Sequence, residues 1–303
     1  MKDHRIFSQT MKRKLIINAD DLGYTQGVNL AVRHCLDKGS LRSSTLLANG
    51  AAFEEAVLLC KQKPELGVGV HLTLTEMPPL APVDKIPGLL NPEGLLPATP
   101  GKLLTALKLR KIKRDELFKE LDLQVARIVD AGLSPTHLDS HKHIHAIPEV
   151  LEVVIQVARR HSIHWIRNPF ESSAGLPLLP NVDRDQRSVF IKQHTMAKWI
   201  SIYRGTFLSK IRHAGLRTPD HFFGVSLTGI WNEASMAYLI ERLPNGISEW
   251  MYHPGNCDDA LRRQRTRLLL QREKERDLLC SPLLRDLLYK HHILLEHYGE
   301  ETT

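Results

Sequence analysis

Short apolar runs that stop abruptly on polar residues recur along this chain, and a segment with helical periodicity follows most of them. Residues 14–18 run into Ala19-Asp20-Asp21. Val28, Ala31, Val32, Cys35 and Leu36 then share one helical face, with Gly39 as a stop. Residues 43–48 and 67–72 read as the second and third strands, with a helix over 51–62 between them. The stretch 76–103, rich in proline and glycine, is a long insertion of the kind that frames a cleft. Asp115 is expected to cap a helix whose apolar face is Leu117, Leu121, Val125 and Ile128. A fourth strand over 136–140, a helix opened by Pro148 and a fifth strand over 164–167 follow. Beyond them the sequence suggests a helix near 197–211, strands at 222–227 and 248–252, a basic helix over 259–279 and a closing strand at 293–298. This alternation implies parallel α/β architecture. About seven or eight such units fit in the length, which predicts a distorted (β/α) barrel of parallel strands with its active site at their carboxyl edge.

Composition narrows the class. Hydrophobic residues are 42% and charged residues 25% of the chain, ordinary for a soluble globular protein. Apolar runs are too short for a transmembrane helix, and the amino-terminal residues lack a signal-peptide core. Residues 1–11 are expected to be a disordered extension (Met11 offers a second start) and 12–303 a single catalytic domain. The four cysteines are far apart with no CxxC pair. That argues against a zinc finger or a disulfide scaffold and suits a cytoplasmic location.

Histidine is plentiful, at 16 residues, and some of it gathers at strand ends. Asp20-Asp21 closes the first strand, His71 lies near the end of the third, and His137, Asp139, His141, His143 and His145 alternate across the fourth. In one straight strand, residues four apart are separated by about 13 Å, whereas ligands of one ion lie about 2 Å from it. Either two histidines at i and i+2 share an ion, or the chain turns after Ser140 and offers one histidine from the loop. The helix starting at Pro148 favours the turn. A carboxylate with two neutral imidazoles and open positions is a catalytic metal set, and of two adjacent aspartates one can ligate while the other takes a proton. His34, His161, His291 and His292 read as surface residues.

Each signal also has an ordinary explanation. An aspartate pair after a strand is most often a turn or cap, and a lone strand-end histidine a hydrogen-bonded structural one. The net charge of +7, the basic run 108–114 and the segment 261–276 raise a nucleic-acid-binding reading. Glutamates interleave the last of these, so a solvated face is the better account.

Taken together, IINADDLG at 16–23, GVHLTL at 69–74, THLDSHKHIH at 136–145 and YHPG at 252–255 resemble the YdjC-like carbohydrate deacetylases, with similar order and spacing over about residues 12–298. Leu22 stands where that family usually has Phe. The resemblance implies a metal-dependent hydrolase that removes N-acetyl groups from an amino sugar or an acetylated oligosaccharide or glycoconjugate. It implies one divalent ion (Mg²⁺ or Zn²⁺) on Asp21, His71 and His141, with Asp20 as catalytic base, His253 as general acid and Arg167 orienting Asp20. His137, Asp139, His143 and His145 would support the ligands or touch substrate. The residues themselves do not decide which of His141, His143 and His145 ligates; His141 follows from the motif. An acetylated sugar is the expected partner, with no nucleic acid and with room for a homo-oligomer. Another metal-dependent amidohydrolase, or a phosphoesterase, is the alternative on the same scaffold.

Overall fold

Strand β1 (Arg13–Leu22) is the axis of the sheet in the computed structural model, which describes residues 13–172 and 175–300. One edge of β1 pairs in parallel with β7 (Gly246–Tyr252) along residues 13–19. The other is shared by β2 (Ser43–Leu46) and β8 (Leu294–Glu296). From β2 the sheet continues through β3 (Gly67–Leu72), β4 (His137–Ser140) and β5 (Trp165–Ile166), and from β7 to β6 (His221–Phe223); every ladder is parallel. Trp165 makes one parallel bridge to Arg217, just before β6, which brings the two edge strands round toward each other. The result is the expected distorted barrel. The expected extension over residues 1–11 lies outside the described residues.

The helices α1 (Gln26–Lys38), α2 (Phe53–Gln62), α3 (Pro100–Lys108), α4 (Arg114–Asp130), α5 (Pro148–Arg160), α6 (Arg187–Ile200), α7 (Arg204–His213), α8 (Glu233–Glu241), α9 (Asp259–Arg262), α10 (Leu270–Leu279) and α11 (Pro282–Lys290) account for the helical segments. Their apolar faces close over the sheet. Val28, Ala31, Val32 and Cys35 of α1 and Leu121, Val125 and Ile128 of α4 are fully buried. Central strands are buried on both sides, as a parallel sheet covered by helices requires.

Several boundaries differ from expectation. β1 does not stop at Asn18; it carries both aspartates within it. The cap of α4 is not Asp115. The helix starts at Arg114, and Glu116 accepts the backbone N–H of Lys113 at 2.7 Å. Glu116 and Glu120 then accept N–H groups of Gly88, Leu80 and Ala81. Burying two carboxylates under the proline-rich loop in this way satisfies backbone donors that would otherwise be stranded. The helix expected near 197–211 is two helices joined by a turn at 201–203. The basic helix expected over 259–279 is also two, because residues 263–269 leave the helical path. Among the described residues no helix is long and apolar enough to cross a membrane.

Candidate active site

The carboxyl edge of the barrel is where the chemistry collects. Neighbouring residues in a strand point to opposite faces, so Asp20 and Asp21 would diverge in a regular β1. They do not, because the register against β2 shifts between Ala19 and Leu22 and Asp21 adopts φ 69°. A left-handed non-glycine residue costs about 1–3 kcal/mol and persists only where its surroundings impose it. Both carboxylates consequently lie within ligating reach of His71. Leu22, one residue on, is fully buried in the hydrophobic core.

Asp21 Oδ1 lies 3.4 Å from His71 Nε2 and 3.2 Å from His141 Nδ1. One donor atom from each of these three residues falls within 4.8 Å of the others. Each histidine has a carboxylate on its outer nitrogen: His71 Nδ1 meets Asp139 Oδ1 at 2.8 Å, and His141 Nε2 meets Glu76 Oε2 at 3.2 Å. Thr45 Oγ1 donates to Asp139 at 3.0 Å. The remaining oxygen of Asp21 accepts from Arg272 at 2.6 Å.

The chain does turn after Ser140. Residues 141–146 form a short helical turn broken by Lys142 (φ 55°) and His143 (φ 53°), which delivers His141 to Asp21 while sending its neighbours elsewhere. Lys142 Nζ pairs with Glu76 at 2.7 Å. The ring of His143 sits edge-on to Phe222. His145 is fully buried, with one nitrogen on the Ser140 hydroxyl and the other on the Arg167 carbonyl; it holds the turn closed and has no exposure with which to meet substrate. His137, two residues before Asp139 on β4, is fully buried. Its ring stacks on Tyr298 at 3.7 Å and fills the space above Gly69, where a Cβ would meet the imidazole at 2.4 Å. His137 is thus packed in the interior, and its ring touches Tyr298 and the Gly69 backbone rather than a ligating atom.

Arg167 follows β5 and is completely buried. It grips Asp20 through both carboxylate oxygens, at 2.6 and 2.7 Å, and also reaches Asp139 Oδ2 at 2.7 Å and Glu249 Oε1 at 2.8 Å. Three carboxylates around one guanidinium cannot all ionise freely. Burial pushes the Glu249 carboxyl up to about 7 against the pull of Arg167, and the Tyr298 hydroxyl donates to it. Burial would raise Asp20 too, but Arg167 outweighs it and holds that carboxyl far below the usual range. Arg272, with His141 and His71, does the same for Asp21. Burial alone would lower His71, yet Asp139 and Asp21 raise it to about 10; His141 is raised by Asp21 and Glu76 in the same way.

His253 closes the site from the end of β7. Its Nε2 is 4.0 Å from Asp20 Oδ2, and its Nδ1 has no hydrogen-bond partner. Its backbone N–H donates to Glu275, which also accepts from Gly229. Arg272 and Glu275 are buried on α10, inside the stretch that the sequence suggested was a solvated face. Glu76, Glu249, Arg272, Glu275 and Tyr298 were not singled out in the sequence. A carboxylate five residues after His71 in GVHLTLTE was a usable signal for Glu76; the others come from distant segments with no local mark.

Comparison with known proteins places the chain in a family. A family described as YdjC-like protein matches residues 14–290. A carbohydrate deacetylase of Brevibacillus brevis is 31% identical over 95% of this chain and 99% of its own length. One from Geobacillus stearothermophilus is 42% identical over 50% of this chain and 59% of its own. A chitooligosaccharide deacetylase of an Enterobacter species is 39% identical over a similar half. A solved structure from Enterococcus faecalis, described as a candidate cellobiose-phosphate cleavage protein, superposes with a TM-score of 0.73 at 25% identity over 95% of this chain and 98% of that one. On this evidence the chain belongs to the YdjC-like family.

Proposed function

We propose that this protein is a divalent-metal-dependent hydrolase that removes the N-acetyl group of an amino sugar, as a monosaccharide unit or within an oligosaccharide or glycoconjugate. The convergence of Asp21, His71 and His141, with a carboxylate behind each imidazole, carries this reading. One carboxylate and two imidazoles backed by outer carboxylates form a donor set suited to Zn²⁺ and, by its oxygen share, to Mg²⁺ or Mn²⁺. These three residues would hold the ion, which supplies acidification of water and polarisation of the acetyl carbonyl.

The chain's own groups do the rest. Asp20, kept ionised and fixed by Arg167, accepts the proton of the attacking water. Its strong pairing makes it a weak base by itself, so position is its main contribution. His253, whose Nε2 faces Asp20 while its Nδ1 is buried toward Glu275, protonates the departing amine. Asp139 and Glu76 fix the orientation of His71 and His141. A second ion, as a phosphoesterase or two-metal amidohydrolase would use, would need Asp20, His71 and Asp139. Arg167 already occupies both oxygens of Asp20 and one of Asp139, which favours a single ion.

The test compares two substitutions in an acetate-release assay over acetylated amino sugars with added Mg²⁺, Mn²⁺ or Zn²⁺. Asp20→Asn is expected to bind metal normally and release acetate about 10²–10⁴-fold more slowly; His71→Ala is expected to lose both metal and activity. Full activity in Asp20→Asn would overturn the assignment.

A further inference from the structure

Helix α6 leaves four large apolar side chains in solvent: Ile191 (47% exposed), Met196 (58%), Trp199 (70%) and, in the turn after the helix, Ile202 (69%). Phe190 and Ala197 pack inward, so the helix has a second apolar face directed away from the protein. Solvent-facing apolar side chains grouped on one helix mark a contact surface.

The charge around them is one-sided. From residue 186 to residue 219 the sequence holds seven Lys and Arg and no Asp or Glu, equal to the net +7 of the whole chain. Glu152 of α5 reaches into the segment to pair with Lys210; Lys192 and Lys198, on α6 itself, are exposed. The helix is fastened by Gln193 and His194 to Ser226, in the loop that leaves the carboxyl end of β6. The patch therefore lies toward the edge of the barrel that carries Asp20, His71 and His253.

We propose that this face of α6 docks on an anionic lipid bilayer. Tryptophan and branched aliphatic side chains settle at the headgroup boundary, and flanking lysines are drawn to acidic lipids. A second copy of this chain fits less well, because a two-fold interface would set this positive segment against itself. A nucleic acid would use the charge and leave Ile191, Met196 and Ile202 without a partner. The proposal is independent of the deacetylase reading.

Flotation of the full chain with phosphatidylcholine vesicles, with and without phosphatidylglycerol, tests it. Trp199 is the one exposed tryptophan of four, so its emission reports the contact. The expected result is binding to the phosphatidylglycerol vesicles that weakens with salt and shifts the emission to the blue. Trp199→Ser with Ile202→Ser, or Lys192→Glu with Lys198→Glu, should reduce it about tenfold or more. Failure of the chain to float at low salt overturns the proposal, as does equal binding by either double variant. Self-association that the apolar variant abolishes, with no vesicle binding, assigns the face to a second copy. Salt-sensitive binding to duplex DNA, with no vesicle binding, assigns it to nucleic acid.

Discussion

Arg167 and Asp20 form a two-pronged ion pair inside the barrel, at 2.6 and 2.7 Å, with neither side chain open to solvent. The guanidinium comes from the end of β5 and the carboxylate from the end of β1, on either side of the β2–β3–β4 ladder. One residue thus sets the direction of the proposed base and carries the charge balance of Asp139 and Glu249.

Arg167→Lys keeps one positive charge and loses the fork that matches a carboxylate. Lysine lacks the planar fork that holds both oxygens of Asp20 while reaching Asp139 and Glu249, so unfolding free energy should fall by about 3 kcal/mol and acetate release by about 10²-fold. Chemical denaturation and steady-state kinetics check both. Unchanged stability would mean that the ion pair does not organise the interior.

Glu76→Gln tests the carboxylate behind His141. Orientation and charge act in the same direction here, since the variant loses an anchor for the imidazole and a negative charge beside the cation site. Metal affinity measured by calorimetric titration should weaken about 10–100-fold while the thermal midpoint stays close to wild type. Lys142→Ala, which removes only the outer partner of Glu76, should change affinity far less.

Above neutral pH the metal-free protein should lose stability as pH rises. His71 has its folded pKa raised to about 10, above the ordinary 6.5, so its contribution is complete below pH 6.5 and disappears as pH climbs through 10. Glu249 is raised to about 7 and favours its protonated form in the fold, so its contribution declines between about pH 4.5 and 7. Both slopes have the same sign. Denaturant midpoints of chelator-treated protein should decline from pH 7 to pH 10, above the range in which the buried, neutral His137, His143 and His145 make stability rise with pH. Added Zn²⁺, which must displace the histidine protons, should bind more tightly as pH rises and release protons on binding. Stability that rises across this range contradicts the assignment.

What was legible in the sequence was what repeats locally. The period of apolar residues placed the strands and most helices, and strand-end polar residues marked the edge that holds the site. Strand geometry left open either two histidines at i and i+2 or a turn after Ser140, and the helix opened by Pro148 favoured the turn that the structure has. Other features were not local. Asp21 converges with Asp20 because of a backbone irregularity that neither residue type signals. Arg272 and Glu275 lie in LRRQRTRLLLQREKER, where composition indicates solvent, yet both are buried because Asp21 and the His253 loop lie beneath them. The net charge drew attention to the basic run 108–114 and the segment 261–276, whereas its value equals the balance of one acid-free segment around α6.

The most direct measurement of the central claim is acetate release from an N-acetylated amino sugar by protein stripped with chelator and then titrated with divalent metal. The account predicts negligible activity in the stripped protein and recovery that saturates at one ion per chain, with ligand loss in His71→Ala abolishing recovery. Undiminished acetate release by the stripped protein, or recovery that requires two ions per chain, would contradict it.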